Sequence, residues 1–463
     1  MDKRFPIEDQ IEMLGSMIRG RVVAPHHSDY EAMRMVALAQ FDRRPAAIIR
    51  VANAADVAAV LNFAQATDLQ IAIRSGGHST GGYGSADGAL VIDVRDLKAI
   101  EVDVGAATAW AGAGCTAGEV TLAVEKHGLI VGFGDSASVG IAGLTLGGGI
   151  GYLVRKHGLT IDSLLAVEIV TASGDILIAD ENHHADLFWA VRGGGGNFGV
   201  VTRFKYKLHP LPSFTGGPLA FPPTPKVIAG FARLADEAPE ELSAIAMIMP
   251  LPPAPFVPAE AHGKLAFVAV MAFAGDPADA QKALAPFRAL AAPLVDLVGV
   301  APYSSLYMLD PPSDMRSMVE IRSRFSSRFG LEEAKALVDA AFKCTAPMSM
   351  SQIRVLGGAQ SRVPAGATAF GHRASNKRFM VSFLSMYGGG PAEIAAQQRW
   401  VSESLNAVVP SGDGTYVNFL GAGDDGKRID AAYPPATLER LRQVKRRYDP
   451  DNLFRLNTNV KPA

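Results

Sequence analysis

Ile71-Ala72-Ile73-Arg74-Ser75-Gly76-Gly77-His78-Ser79 is the stretch on which the fold turns. Its first three residues read as a buried strand, which runs without a break into Ser-Gly-Gly-His. Two adjacent glycines let a backbone pass close to a ligand, and consecutive N–H groups facing one concavity bind an anion such as a pyrophosphate. A histidine beside them reaches a neighbouring ring system. Taken alone, the segment reads more simply as a tight turn with a surface histidine.

Its surroundings change that balance. Upstream, Asn53 with Asp56 predicts a capped helix that places Val57, Val60, Leu61 and Phe63 on one face. Downstream, strands are predicted at Ala89–Val94 and around Ala107–Ala111. A second helix follows, capped by Thr116 with Glu119 and ending at Gly128. Val139-Gly140-Ile141-Ala142-Gly143-Leu144-Thr145-Leu146-Gly147-Gly148-Gly149-Ile150-Gly151 holds six glycines in thirteen residues. That density costs backbone entropy unless close approach is needed, and the apolar residues between the glycines argue against a linker. Ser173-Gly174 closes a predicted hairpin between Val167–Thr171 and Ile176–Ala179. A third cluster, Arg192-Gly193-Gly194-Gly195-Gly196-Asn197-Phe198-Gly199-Val200-Val201-Thr202, feeds an alternating strand over Thr202–Leu208, with Phe204, Tyr206 and Leu208 on one face. Three such clusters in one region point to a large ligand lying along backbone.

Past Pro210 and Pro212 the texture becomes proline- and alanine-rich, with helices predicted after Thr224-Pro225 and Asp276-Pro277. Residues 213–410 read as a second domain of mixed strands and helices. The tail offers a strand-like Tyr416-Val417-Asn418-Phe419. It ends in an amphipathic helix carrying Leu438, Leu441 and Val444, which stops at Asp449-Pro450.

A length of 463 residues implies two domains. A net charge of −2 leaves no broad basic surface for nucleic acid or acidic lipid. Cys115 and Cys344 are the only cysteines, too few for a disulfide framework or a multi-cysteine zinc site, and Cys115 reads as a small buried residue. Leu265–Ala274 is too short to span a bilayer, and no apolar run follows the charged first ten residues. A cytoplasmic location without membrane contact is the expectation. Gly421–Lys427 has P-loop spacing, but Arg428 replaces the required Ser or Thr. Gly112-Ala113-Gly114 and Gly118 miss the dinucleotide spacing, and His183-His184 has no ligand partners, so no metal is expected.

Together these blocks resemble the vanillyl-alcohol oxidase superfamily, and more closely its berberine bridge enzyme-like branch. The blocks come in order: Asp42–Ala46, Arg74–His78, Gly140–Asp162, Asp186–Arg192 with Asn197-Phe198-Gly199, Tyr416-Val417-Asn418, and Tyr448–Phe454 with Asn457-Thr458-Asn459. The resemblance implies an α+β fold: a two-lobed FAD-binding domain of the PCMH type, and a substrate domain with an antiparallel sheet backed by helices. It divides the chain into a lead-in (1–39), the FAD-binding domain (40–211), the substrate domain (212–411) and a segment returning to the FAD domain (412–463). It implies FAD bound covalently through its 8-methyl group to His78. Arg74, Ser75, Gly76, Gly77, Ser79, Val139, Gly140, Gly143, Gly148, Gly149, Gly151, Val200, Tyr416, Asn418 and Asn457 are the further cofactor contacts.

Some relatives carry a second tether on a cysteine. Ser136 stands there, so attachment through His78 alone is expected. The neighbouring position bears on oxygen access in the family and is Asp135 here. Tyr416 matches the family's catalytic tyrosine. With a solution pKa near ~10 it needs activation to act as base, for which Arg373 or His372 is the candidate, a structural role for them being the alternative. Relatives with an added acid hold it near Ser382, where this chain has no carboxylate.

The expected activity is a flavin oxidase that removes a hydride from a C–O or C–N bearing carbon of a sugar, alcohol or amine. The expected partners are a small-molecule substrate and molecular oxygen, in a monomer or homodimer. A dehydrogenase using another acceptor, and a catalytically decayed binding protein, are the competing readings.

Overall fold

The structure, a computed structural model, describes residues 5–309, 317–373, 377–421 and 426–463. A four-stranded sheet opens the chain: β1 (Arg21–Val23), β2 (Ala47–Arg50), β3 (Ile71–Arg74) and β4 (Leu90–Asp93), in the order β1-β2-β4-β3. Strands β2 and β3 run parallel to β4, and β1 is antiparallel to β2. Parallel strands are covered on both faces, which is why Ile48, Ile49, Leu90, Val91 and Ile92 form unbroken apolar runs, all buried. Helix α1 (Ala54–Thr67) is the β2–β3 crossover. Asn53 caps it by accepting the Asp56 N–H at 2.9 Å, and Asp68 ends it with φ 57°.

The second sheet is wholly antiparallel. It comprises β5 (Ile100–Asp103), β6 (Thr108–Gly112), β7 (Leu164–Val170), β8 (Ile176–Asp180) and β9 (Val200–Lys207), in the order β5-β6-β9-β7-β8. Phe204 and Tyr206 point into the core as the alternation predicts. Helix α2 (Ala117–Glu125) starts in a full capping box between Thr116 and Glu119, stabilising it by about 1 kcal/mol, and stops three residues before Gly128. Cys115, beside that cap, is buried, and its thiol is pushed up to about 11 by burial. The short α3 (Ile141–Leu146) lies in the glycine-rich stretch.

Residues beyond Pro212 build one large antiparallel sheet. Its long strands are β10 (Thr215–Phe221), β11 (Leu242–Pro250), β12 (Leu265–Phe273), β13 (Met318–Ser326), β14 (Met348–Val355) and β15 (Phe379–Tyr387). They lie in the order β10-β12-β11-β14-β15-β13, with two short strands at the β10 edge. Helices α4 (Pro225–Glu237), α5 (Pro277–Arg288), α6 (Leu331–Lys343) and α7 (Pro391–Val408) pack on one face through Phe231, Phe287, Leu337 and Val401. Residues of the opposite face, such as Ile245 and Met247, join the core of the first lobe. One sheet thus serves both lobes.

The tail returns to the first lobe. Helix α8 (Pro435–Tyr448) buries Leu438, Leu441 and Val444 and ends at Asp449, ahead of Pro450. The predicted strand over Tyr416–Phe419 is instead a 3₁₀ turn at Val417–Phe419, because the Tyr416 and Val417 carbonyls accept the N–H groups of Phe419 and Leu420 rather than a strand partner. The P-loop-like Gly421–Arg428 lies largely outside the described residues. Among the described residues no helix is long and apolar enough to cross a membrane.

His157 and His209 stack with ring centroids 4.0 Å apart, and His209 Nε2 pairs with Ser163 Oγ at 2.9 Å. Burial lowers them to about 3 and about 4; the His209, Lys156 and Lys207 charges add to the effect on His157, and the Lys207 charge to that on His209. Both rings bind protons more readily unfolded, so the unfolded chain takes up protons first. Stability is therefore complete above about pH 6.5 and falls as pH drops towards 4. Urea unfolding of His209→Asn should show a shallower loss between pH 7 and 5 than the native chain. Parallel curves would remove the pair from the acid response.

Candidate active site

Strand β3 delivers the chain into Ser75–Thr80, a half-exposed loop emerging from buried strand. Ser75 Oγ donates to the Ala113 carbonyl at 2.7 Å, and Thr80 Oγ1 donates to the Leu420 carbonyl at 2.8 Å, anchoring the loop to the residue after β6 and to the tail. A methyl group on Gly76 would collide with the Gly140 backbone, and one on Gly140 with Gly76. Gly77 has φ 72°. These glycines are needed because two main chains touch there. The His78 ring is packed against this junction. Burial holds its pKa below the ordinary value, opposed by a hydrogen bond to the Ser138 main chain that favours a proton on the bonded nitrogen. A neutral ring with one nitrogen so engaged carries its lone pair on the other.

The glycine-rich stretch meets the tail at Tyr416, which is 4% exposed. Its phenolic oxygen accepts the Gly149 N–H at 3.1 Å and the Asn418 Nδ2–H at 2.9 Å. Asn418 also donates to the Leu144 carbonyl at 3.1 Å, and Gly147 has no room for a side chain because Asn418 occupies that space. Gly149, at φ 77°, turns its N–H to Tyr416. Burial raises the Tyr416 pKa, while Asn418, the Gly149 N–H, the Arg354 cation and the Ile150 N–H pull it down. All four of these neighbours favour the phenolate, against burial.

The cation beside Tyr416 is Arg354, which sequence reasoning missed. It sits on β14, is 3% exposed, donates to the Ile150 carbonyl at 3.3 Å, and pairs with Asp135 at 2.6 Å. Its guanidinium lies 5.4 Å from the Phe419 ring centre, and that ring meets Tyr416 edge-on. Arg373 and His372, the sequence candidates for activating Tyr416, bond elsewhere. Arg373 clamps Asp162 with two bonds of 2.6 and 3.0 Å, and His372 Nε2 pairs with the Ala432 carbonyl at 2.9 Å. Burial lowers His372 to about 4, so it is neutral near pH 7.

Other predicted contacts are distributed unevenly. The Arg74 side chain turns inward to pair with Asp93 at 2.7 Å, so only its main chain faces the loop. Gly143 is exposed, with no atom within 4 Å of where a side chain would begin. Val139 is half-buried beside Gly140. Gly148, at φ 123°, packs against Phe370, and Gly151 against the Phe133 carbonyl. Val200 opens β9 and is buried, apart from the Tyr416 cluster. Asn457 donates to the Gly196 and Phe454 carbonyls, both at 3.0 Å, while its Oδ1, like that of Asn459, is buried without a protein partner. Glu12, His26 and His27 have ligand atoms within 4.8 Å of one another. His27 Nδ1, however, accepts the Ala24 N–H, which keeps the ring proton on Nε2 and leaves no lone pair for a metal.

Residues 45–180 match the family described as FAD binding domain, and 415–461 match that described as berberine and berberine like. The chain carries both segments that mark the berberine bridge enzyme-like FAD-linked oxidoreductases. (R)-6-hydroxynicotine oxidase of Paenarthrobacter nicotinovorans is 29% identical over 459 residues, covering 96% of this chain and 97% of that protein. The structure of 6-hydroxy-D-nicotine oxidase from Arthrobacter nicotinovorans superposes with a TM-score of 0.85 at 26% identity, covering 96% and 98% of the two chains. Xylooligosaccharide oxidase from Myceliophthora thermophila, solved with xylobiose, shares the fold with a TM-score of 0.85 at 22% identity, covering 98% and 99%.

The residues of this berberine bridge enzyme-like chain fit FAD. Its loops at 75–80 and 135–139 are half-exposed to exposed among buried neighbours, and Gly143 leaves open space. The unpartnered Asn457 and Asn459 oxygens supply acceptors, which a large polar ligand would satisfy.

Proposed function

We propose that this chain carries FAD on His78 alone and oxidises a carbon bearing oxygen or nitrogen in a small molecule, with Tyr416 taking the proton. The observation that carries the reading is the Tyr416 oxygen, held by its neighbour Asn418 and by the N–H of Gly149, which lies on the same glycine-rich stretch that meets the His78 loop through Gly140. His78 offers an unprotonated nitrogen for bonding to the 8-methyl carbon, and Ser136 provides no second thiol. The main chain of 75–79, the 139–151 stretch and Asn457 would hold the rest of the cofactor. Bound FAD supplies the two-electron acceptor, which dioxygen regenerates with release of hydrogen peroxide.

Tyr416 accepts the substrate O–H or N–H proton as the hydride leaves the adjacent carbon. The Gly149 and Asn418 donors stabilise negative charge on its oxygen before and during that transfer, so no reorganisation is needed at the reacting moment. Arg354 adds positive charge from the sheet side, and its pairing with Asp135 keeps that charge in place.

Acid precipitation of the purified protein tests the tether. The pellet should be yellow for the native chain and colourless for His78→Asn, with FAD released to the supernatant. A colourless native pellet removes His78 from its role. Anaerobic bleaching followed by peroxide release on admitting air tests the oxidase reading, and bleaching without peroxide identifies a dehydrogenase instead.

A further inference from the structure

Gln352 lies two residues before Arg354 on β14, on the same face, and is 5% exposed. Its Oε1 accepts from Ser382 Oγ at 3.1 Å and lies 3.4 Å from Arg354 Nη2. A guanidinium only donates, so the carbonyl end of the amide must face it and the NH₂ end must face away. Among the described residues the NH₂ group finds only the Met350 thioether at 3.8 Å, a weak acceptor. A buried amide donor without a good acceptor costs about 1–3 kcal/mol, which a ligand acceptor recovers.

The register places this group beside the base. Ser323, Ser382, Gln352 and Met247 align across β13, β15, β14 and β11. Ser323 Oγ accepts the Tyr416 N–H at 3.2 Å at one end of that row. The row towards Tyr416 carries Arg354, whose charge is matched by Asp135, among apolar neighbours, and the rows on the other side are apolar. Met380 aligns with Arg354 on the side towards Tyr416, and Met350 with Leu384, then Met348 with Met386, on the other. Met350, Leu384, Met348 and Met386 are half-buried, so this face keeps surface available. The described strands put no carboxylate on it. Each sugar hydroxyl needs a donor and an acceptor, which thioethers and alkyl chains leave unmet. Flexible, polarizable methionines suit flat apolar rings.

We propose that Gln352 determines specificity at this site, and that the substrate is a compact ring-bearing alcohol or amine with a hydrogen-bond acceptor for the Gln352 amide, not a polyhydroxylated sugar. This rests on the reading of Tyr416 as the reacting end of the site. Calorimetric titration of the holoprotein with 3-pyridinemethanol, benzyl alcohol and xylobiose tests it. The pyridine should bind about 10-fold more tightly than benzyl alcohol, since the two differ by one ring acceptor, with xylobiose weakest of the three. Gln352→Leu should abolish the pyridine preference and leave benzyl alcohol within about 3-fold of its native affinity. Tightest binding of xylobiose, equal affinity of the two ring compounds, no heat from either, or a preference surviving in Gln352→Leu overturns the proposal. Anaerobic flavin bleaching in the same samples separates the two readings. Bleaching by xylobiose in preference to the ring compounds leaves the proposed function standing and removes this inference. Selective ring binding without bleaching by any compound does the reverse.

Discussion

Tyr416→Phe should slow anaerobic bleaching of the flavin by substrate about 10²- to 10⁴-fold, the range expected for loss of a positioned general base. The ring and its packing against Phe370 and Phe419 survive the change, so the visible spectrum should stay close to native. The Gly149 and Asn418 donors lose their acceptor, so some thermal stability should go with the oxygen, by about 1–3 kcal/mol. The native pH profile gives a second reading. Burial favours the neutral phenol, so the reduction rate should climb with pH on the alkaline side of neutrality. Arg354→Gln removes the cation that opposes burial and should move that limb to higher pH. In Tyr416→Phe the limb should vanish. A reduction rate within twofold of native in Tyr416→Phe would take the proton away from this residue.

Lys445→Met should be the most destabilising conservative change in the tail, at about 3–5 kcal/mol. Lys445 and Asp449 have fully buried side chains paired at 2.6 Å. The ammonium also donates to the Asn197 and Phe454 carbonyls, both at 2.8 Å, using all three of its protons. Asp449 accepts the Leu453 and Phe454 N–H groups as well, at 2.7 and 2.9 Å. Methionine fills the same space, so the loss measures an uncompensated buried carboxylate rather than a cavity. Adding Asp449→Asn should recover part of it by removing that charge. Because Asn197 in turn binds the Val460 N–H at 2.9 Å and donates to the Thr458 carbonyl at 3.0 Å, the melting transition should broaden as the tail loosens first. A melting temperature unchanged in Lys445→Met would show the pair to be dispensable.

Features whose partners lie a few residues away were legible in the sequence. The Asn53 and Thr116 caps close within three residues, and the alternation of Phe204 and Tyr206 needs only the period of a strand. The glycine clusters were legible as places of close approach, and the Gly76–Gly140 contact is such a place. The Tyr416 segment misled, since Val417 and Phe419 look like strand while the turn's hydrogen bonds are local and its orientation is set by Ser323, 93 residues away.

The sequence by itself determined the order of blocks, the capped helices and the identity of the residues meeting at His78 and Tyr416. Only the tertiary structure decided what surrounds them. Arg354 and Asp135 are separated by 219 residues, and no local periodicity announces such a pair. Arg373, beside His372 in a motif that suggested activation, is drawn instead to Asp162, 211 residues away, whose carboxylate accepts two bonds from its guanidinium. The charge beside Tyr416 was thus chosen by strand register across the large sheet, a property that exists only once β14 has paired with its neighbours.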